Sequence, residues 1–415
     1  MRTSGRTLLN CLCCGSSDLR VVLDLGKQPL ANGYTDSPDE SVEHFPLELN
    51  VCGKCWHAQL SYCVDRHAIF DRYAYTSGTS STLNHFFAWF AHAAAVCLKR
   101  GARVLELAAN DGSLIQALLA NGLDAFGIDP AQNIVESAQS RGLPLRCGYW
   151  PQTSDIAEGT YDAIVCMNVV AHVDDPQAFV AACCDKLCPG GVLLIQPSQV
   201  RMFGNGEFDT CYHEHISFFN TRSMAVLAES SGLKLYGSAL VRIHGDSPIY
   251  ILGRSDAPPA IDKWVSSLGD GAFAISERLS DYEAKIGLYE WDTYHRFRKQ
   301  AQATLNELAC VVAAHRSEGF DIVFVGAAAK AMTVINAAGI RPDRFLDEAV
   351  LKIGLCAPGI GTRIEPLEVC TTLLRPALFV ITAWNFRQEL HAKLCDRGVP
   401  VGSKFYCYFP VPEYL

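Results

Sequence analysis

No run of about 18 apolar residues, the length that spans a bilayer, occurs in the 415-residue chain, so the sequence offers no membrane-crossing helix. The opening MRTSGRTLLNCLCC also lacks the long apolar stretch of a secretory signal. Positive charge is in deficit: 35 Lys and Arg stand against 44 Asp and Glu, a formal charge of −9 with a pI near 5.7. A general grip on nucleic-acid phosphates needs a basic face that displaces counterions, so this balance argues against it while leaving room for one basic pocket. Charged residues of all kinds reach only 19% and hydrophobic ones 49%, a globular composition that disfavours extended disorder. The expectation is a soluble, cytoplasmic protein with a small-molecule substrate and no nucleic-acid, membrane or obligate protein partner.

What the chain does have begins with length, since 415 residues usually divide into two or three domains. Eighteen cysteines are present, but most lie singly in apolar runs, as Cys166, Cys310 and Cys370 do, and without an export signal they read as reduced core residues. Residues 1–68 are turn-rich and too few to be held by burial alone. Residues 69–256 alternate β-rich runs (Arg103–Leu107, Asp124–Ile128, Tyr161–Met167, Val192–Gln196) with helices such as Ser113–Ala120 and Ala131–Gln139, which implies a parallel sheet covered on both faces. After a linker at 255–260 containing Pro258 and Pro259, residues 257–415 open with one long helix or two between Ile275 and His315. A second alternating region follows, with strands at Ile322–Val325 and Ala377–Thr382. The fold class expected is α/β, with two Rossmann-like domains in tandem behind a small zinc-binding domain.

The zinc expectation comes from Cys11-x-x-Cys14 and Cys52-x-x-Cys55, two identical knuckles that complete a four-sulfur tetrahedral shell. A closed shell means structure rather than catalysis. Cys13 and His57 are the alternative ligands, Cys13 the weaker because of its spacing.

From Val104 to Gly112 the chain runs from a strand into a helix, with Glu106, Ala108, Asn110 and Gly112 at the marked places of an acidic-x-Gly-x-Gly-x-Gly cofactor turn. Asp129 ends the next strand, 23 residues after Glu106, where a carboxylate accepts ribose hydroxyls. Ala108 and Asn110 replace the glycines that a dinucleotide pyrophosphate would want, which favours S-adenosylmethionine. The segment Phe208-Asp-Thr-Cys-Tyr-His-Glu-His215 concentrates titratable groups. Read as a strand, it would put His213 and His215 on one side and turn Glu214 away, a poor metal site. Besides a satisfied structural cluster, the other reading is general-base catalysis: a histidine removes a proton beside a carbonyl, Glu214 orients the ring or binds substrate, and Tyr212 hydrogen-bonds a developing enolate. His172, just past the strand Tyr161–Met167, is a second imidazole at the carboxyl end of the sheet. Gly326–Lys330 is a small-residue turn opening a helix, an anion site to which Lys330 adds charge.

The ordered motifs resemble the sugar C-methyltransferases of deoxysugar biosynthesis, of the tetronitrose and kijanose type. They comprise the four cysteines, Tyr73-Ala-Tyr75-x-Ser77-x-x-Ser80, the Glu106–Gly112 turn, Asn168-Val-x-Ala-His172, Tyr212-His-Glu-His215, Gly326-Ala-Ala-Ala-Lys330 and Ala383-Trp-Asn-Phe386. The resemblance implies a middle domain that binds the methyl donor, with Asn168 among its contacts. It implies a C-terminal domain that helps hold a nucleotide diphosphate through Gly326, Lys330 and Asn385. His215 would be the base, with Tyr212, Glu214, His172 and Tyr75 around the sugar. The chain departs from the pattern at His244-Gly-Asp-Ser-Pro-Ile249, where a cation is lost and Asp246 gained, at Gln196-Pro-Ser198, and near Ala357–Gly361. Competing readings are a non-sugar acceptor with an acidic carbon, and a zinc-stapled binding protein with a decayed site.

Overall fold

The computed structural model describes residues 5–70, 77–153, 159–197 and 201–415, so Tyr73, Tyr75 and Ser198 lie outside the described residues. No helix among these is long and apolar enough to cross a membrane.

The central sheet has eight strands. Five run parallel, in the order Leu187–Gln196, Tyr161–Met167, Arg103–Leu107, Asp124–Asp129, Leu145–Cys147. The four strands read from the alternating texture all lie in this parallel part, and the sheet continues antiparallel on one side. There Ser247–Arg254 pairs antiparallel with Leu187–Gln196, Leu233–Val241 pairs antiparallel with Ser247–Arg254, and Ala274–Ile275 extends the edge. The hairpin turn holds His244 (φ 52°), Gly245 (φ 76°) and Asp246 (φ 66°), and a hairpin returns the chain antiparallel where a helix crossover would return it parallel. The helix Ser81–Cys97 packs on this sheet because Leu83, Phe86, Phe87, Phe90, Ala91 and Ala94 repeat at three- and four-residue spacing. Its N-cap, Ser80, accepts from the Leu83 N–H, a cap worth about 1 kcal/mol. Residues beyond the Pro258–Pro259 linker stay with this unit for a time, since Trp264 and Leu268 enter its core.

The C-terminal sheet has the order Ile364–Pro366, Arg344–Asp347, Asp321–Val325, Ala377–Ile381, Lys404–Cys407, Glu413–Tyr414. All pairs are parallel except the last. Between the two large sheets the expected helical stretch is two helices, Leu279–Lys285 and the 27-residue Trp291–Ser317. The chain breaks at Gly287 (φ 66°), where the Thr293 hydroxyl donates to the carbonyls of Ile286 and Gly287.

The N-terminal sheet is antiparallel, Leu19–Gln28 beside Phe45–Cys52 beside Ala58–Leu60. Its fourth strand, Ser217–Phe218, comes from more than 150 residues later and immediately follows the His215 turn. One continuous apolar core joins this sheet (Leu49, Val51, Leu60), the segment holding Phe208 and Cys211, the long helix (Phe297, Leu308) and the C-terminal sheet (Phe324, Val380). The segment with the densest chemistry is thus buried where all three parts meet.

Candidate active site

The four cysteines come together as their spacing implies: their Sγ atoms all lie within 4.8 Å of one another. Cys11–Cys55 and Cys14–Cys52 are each 3.5 Å apart, close to the roughly 3.8 Å edge of a tetrahedron with zinc–sulfur bonds of about 2.3 Å. Neither alternative ligand joins them. Cys13 is fully buried outside the group, and His57 Nε2 lies 3.2 Å from the Ser217 hydroxyl, with burial pushing its pKa down to about 4. Among the described residues this is the one group able to hold a metal ion.

At the carboxyl end of Arg103–Leu107, Ala108 (φ 52°), Asn110 (φ 48°) and Gly112 (φ 75°) all take the left-handed conformation. The marked positions of the turn therefore keep the backbone that glycine normally supplies, at a cost on the order of 1 kcal/mol for each side chain that must adopt it. Asp129 pins the turn: Oδ2 accepts from the Asn110 N–H at 2.8 Å and Oδ1 from the Ala131 N–H at 2.9 Å. Each oxygen retains a lone pair for a ribose hydroxyl. Glu106 is buried, its Oε2 has no hydrogen-bond partner among the described residues, and desolvation, then Asp129 and Asp111, raise its pKa well above the carboxylate range. Such a site gains most from an arriving cation. Asn168 (φ 57°) ends the neighbouring strand with a buried, unpartnered Oδ1, and Gln196 ends the next with neither amide atom partnered. These orphaned groups line up along the carboxyl ends of three adjacent strands, where ligands of open α/β sheets bind.

Residues 211–216 are a turn after the short helix Phe208–Thr210, which corrects the strand argument for His213 and His215. The two rings enter different surroundings. His213 packs edge-on against Phe45 with no hydrogen-bond partner for either nitrogen among the described residues, and burial takes its pKa down to about 4. His215 Nδ1 lies 2.8 Å from the Thr210 carbonyl and Nε2 3.1 Å from the Tyr212 hydroxyl. A carbonyl only accepts, so Nδ1 carries the proton and the lone pair is on Nε2. Burial, then His172, Lys330 and His244, hold the His215 pKa well below the usual value. The His172 ring is 5.0 Å from that of His215, and its Nδ1–H donates to the Glu214 carbonyl at 2.6 Å. Glu214 is not turned away from the cluster. It is 6% exposed, burial raises its pKa, and Oε1 accepts from Asn32 at 2.6 Å.

Gly326 (φ 100°) allows the third turn, since a Cβ there would lie 2.5 Å from that of Ala383. Lys330, read from sequence as a phosphate cation, has its Nζ 3.7 Å from Glu207 Oε2, 3.9 Å from Asp209 Oδ1 and 4.8 Å above the Trp384 ring. Trp384 Nε1 donates to Asp209 at 2.7 Å, while its neighbour Asn385 is exposed. Asp347 escaped the sequence reading. It repeats Asp129, accepting from the N–H groups of Ala327 (2.6 Å) and Ala349 (2.7 Å). Its place at the end of a second strand, 21 residues after Gly326, was a usable signal. Asp246, the anion gained in the hairpin turn, is answered by Arg201, whose Nε donates to it at 3.0 Å while Nη1 reaches Glu277 at 2.9 Å.

Three family models match the chain in order: a zinc binding domain over residues 11–70, a methyltransferase domain over 80–237 and a C-methyltransferase C-terminal domain over 272–410. The chain is 27% identical over 404 residues to C-methyltransferase NovU of Streptomyces niveus, a match covering 93% of this chain and 92% of that protein. Together the three models follow the order of parts in a zinc-binding C-methyltransferase. It is an enzyme that uses S-adenosylmethionine, with zinc as its second cofactor. A ubiquinone biosynthesis O-methyltransferase of Xanthomonas campestris pv. campestris is 37% identical over 101 residues, 23% of this chain and 42% of that one. Among solved structures, an S-adenosylmethionine-dependent methyltransferase from Clostridium acetobutylicum aligns with 13% identity and a TM-score of 0.33, covering 40% of this C-methyltransferase and 91% of that chain. The residues fit both cofactors: the cysteine tetrad suits a thiophilic tetrahedral ion, and the unpartnered Glu106 carboxylate suits the cationic methionine half of the methyl donor.

Proposed function

We propose that the enzyme methylates the carbon next to the ketone of a nucleotide-linked keto-deoxysugar, with His215 as the base that forms the enolate. The observation that carries this reading is the fixed tautomer of His215, a buried ring whose basic nitrogen lies beside the Tyr212 phenol. O-methylation of an acidic hydroxyl would need no such paired base and enolate donor, whereas carbon must first become nucleophilic.

Glu106 would take the cationic amino-acid end of the donor, Asp129 its ribose, and Asn110, Gly112 and Asn168 the backbone-lined groove between. Bound there, S-adenosylmethionine supplies an electrophilic methyl group. Cys11, Cys14, Cys52 and Cys55 would hold the zinc, whose work is to tie the N-terminal sheet that pairs with Ser217–Phe218. His215 Nε2 would remove the α proton, and the electron pair would move onto the ketone oxygen. Tyr212, which donates to Nε2 in the resting enzyme, would turn its O–H to that oxygen, and His172 and Glu214 would hold neighbouring hydroxyls. Gly326, Lys330 and Asn385 would face the diphosphate side; Tyr75, outside the described residues, is proposed as a further group acting on the sugar.

A panel of 4-keto deoxysugars linked to thymidine, guanosine, uridine or cytidine diphosphate, incubated with labelled donor and read by mass, tests the acceptor class. Gain of one methyl on any member supports the proposal. Donor binding with no sugar labelled removes it in favour of a non-sugar acidic carbon.

A further inference from the structure

One loop of the N-terminal part reaches two of the site's turns. Asn32 Nδ2 donates to Glu214 Oε1 at 2.6 Å, joining residues 182 apart in sequence. Two residues on, the Tyr34 hydroxyl donates to the Ala327 carbonyl at 2.6 Å, in the turn that precedes the Lys330 helix. The loop is therefore tied to the Tyr212–His215 turn and to the anion-type turn at once. Asn32 is open to solvent while the carboxylate it holds is 6% exposed, so the amide closes one wall around a buried acid.

Glu214 is fixed from two directions. Its backbone carbonyl accepts from His172, and its side chain accepts from Asn32, the only donor to this carboxylate among the described residues. No ion pair to Glu214 occurs among them either. A buried carboxylate with one oxygen bonded to an amide and the other without a partner among the described residues is arranged to accept one further hydrogen bond.

We propose that Asn32 is a positioning residue: it holds Glu214 Oε1 and so presents Oε2 to a hydroxyl of the acceptor beside the reacting carbon. This rests on the ketosugar reading for the identity of the acceptor, but not for the Asn32–Glu214 relationship itself. The zinc-binding part is then a component of the reaction centre rather than a remote staple. Electrostatics point the same way. Burial raises the Glu214 pKa, and the Asn32 bond opposes that rise by favouring the charged form. The titratable groups facing it are Tyr34 from the same loop, His172 and His215 from the central part, and Asp347 beyond Tyr34.

The test reads the carboxyl group directly in zinc-loaded protein without acceptor. Isotope-edited infrared titration, with Glu214→Gln to assign the band, gives the midpoint of Glu214 protonation. In Asn32→Ala that midpoint rises by about one pH unit, a roughly tenfold change in proton affinity. Asn32→Asp, nearly isosteric, raises it further and keeps the test sound should the alanine variant lose zinc. An unchanged midpoint in a folded, zinc-containing variant overturns the proposal, even where keto-sugars are methylated. With an accepted sugar, Asn32→Ala also raises the acceptor KM about tenfold at unchanged donor affinity. A shifted midpoint in an enzyme that accepts no sugar supports the positioning role and overturns only the acceptor class.

Discussion

The Tyr212 hydroxyl lies 3.1 Å from Nε2 of His215, the one nitrogen of that ring left basic by the Thr210 carbonyl. A phenol and an imidazole in this relation can exchange roles around a substrate: the imidazole gains a proton from carbon while the phenol releases its bond to nitrogen and donates to the oxyanion. His215→Ala is expected to lower turnover by about 10³-fold, within the range for losing a general base, while the donor binds as before. Isothermal titration with S-adenosylmethionine beside a turnover assay separates the two; full activity in the variant refutes the role.

The direction of the His215 pKa fixes a pH dependence. The base must be neutral, and burial with neighbouring cationic and imidazole groups holds its pKa well below 6.5. The acid limb of kcat/KM is therefore expected below the ordinary histidine range, with activity retained as pH falls through 6.5. A limb centred at or above 6.5 would contradict the assignment.

His213 gives a stability prediction of opposite use. Its folded pKa of about 4 is depressed from 6.5, so it stays neutral when folded and takes a proton when unfolded. Stability tied to it is fully present above the unfolded pKa and is lost as pH falls from 6.5 through 4, by about 3 kcal/mol from a shift of that size. His213→Leu should keep turnover and lose less stability between pH 7 and pH 4. Urea melts across that range check it, and a large loss of turnover would return His213 to the site.

Zinc should couple to both stability and chemistry. Cys52→Ser is expected to lose about one equivalent of metal and several kcal/mol of stability, because binding and folding are linked. The strand Ser217–Phe218 pairs with Ala58–Leu60, so turnover should fall with the metal. Metal analysis and thermal melts decide it; full zinc in the variant refutes the ligand set.

Asp129→Ala removes a carboxylate that pins the Asn110 and Ala131 N–H groups. Donor affinity is expected to drop by 10- to 100-fold, or about 1.4–3 kcal/mol. Unchanged donor affinity by titration would break the cofactor assignment.

The features legible in sequence are those built from neighbours. The cysteine knuckles, the Glu106–Gly112 turn with Asp129, and the Tyr212–His215 cluster each declare themselves within a short window, and the strand from Arg103 to Leu107 ends where its β-branched and leucine run stops. What was not legible depends on distant pairs. Nothing in residues 29–34 announces that Asn32 meets Glu214, or in Phe208-Asp-Thr that Asp209 meets Trp384 across 175 residues. The antiparallel edge was hidden because apolar runs do not encode strand direction. The His213 and His215 argument failed because strand alternation was applied to a turn, where successive side chains follow no two-residue rule.

The most direct test of enolate chemistry is solvent exchange. A keto-deoxysugar accepted by the enzyme is held in deuterium oxide with S-adenosylhomocysteine, so that the donor site is filled but no methyl can move, and the hydrogen beside the ketone is followed by nuclear magnetic resonance. Exchange by the native enzyme, absent in His215→Ala, is the result expected. Equal exchange in both, or exchange in neither, contradicts the account.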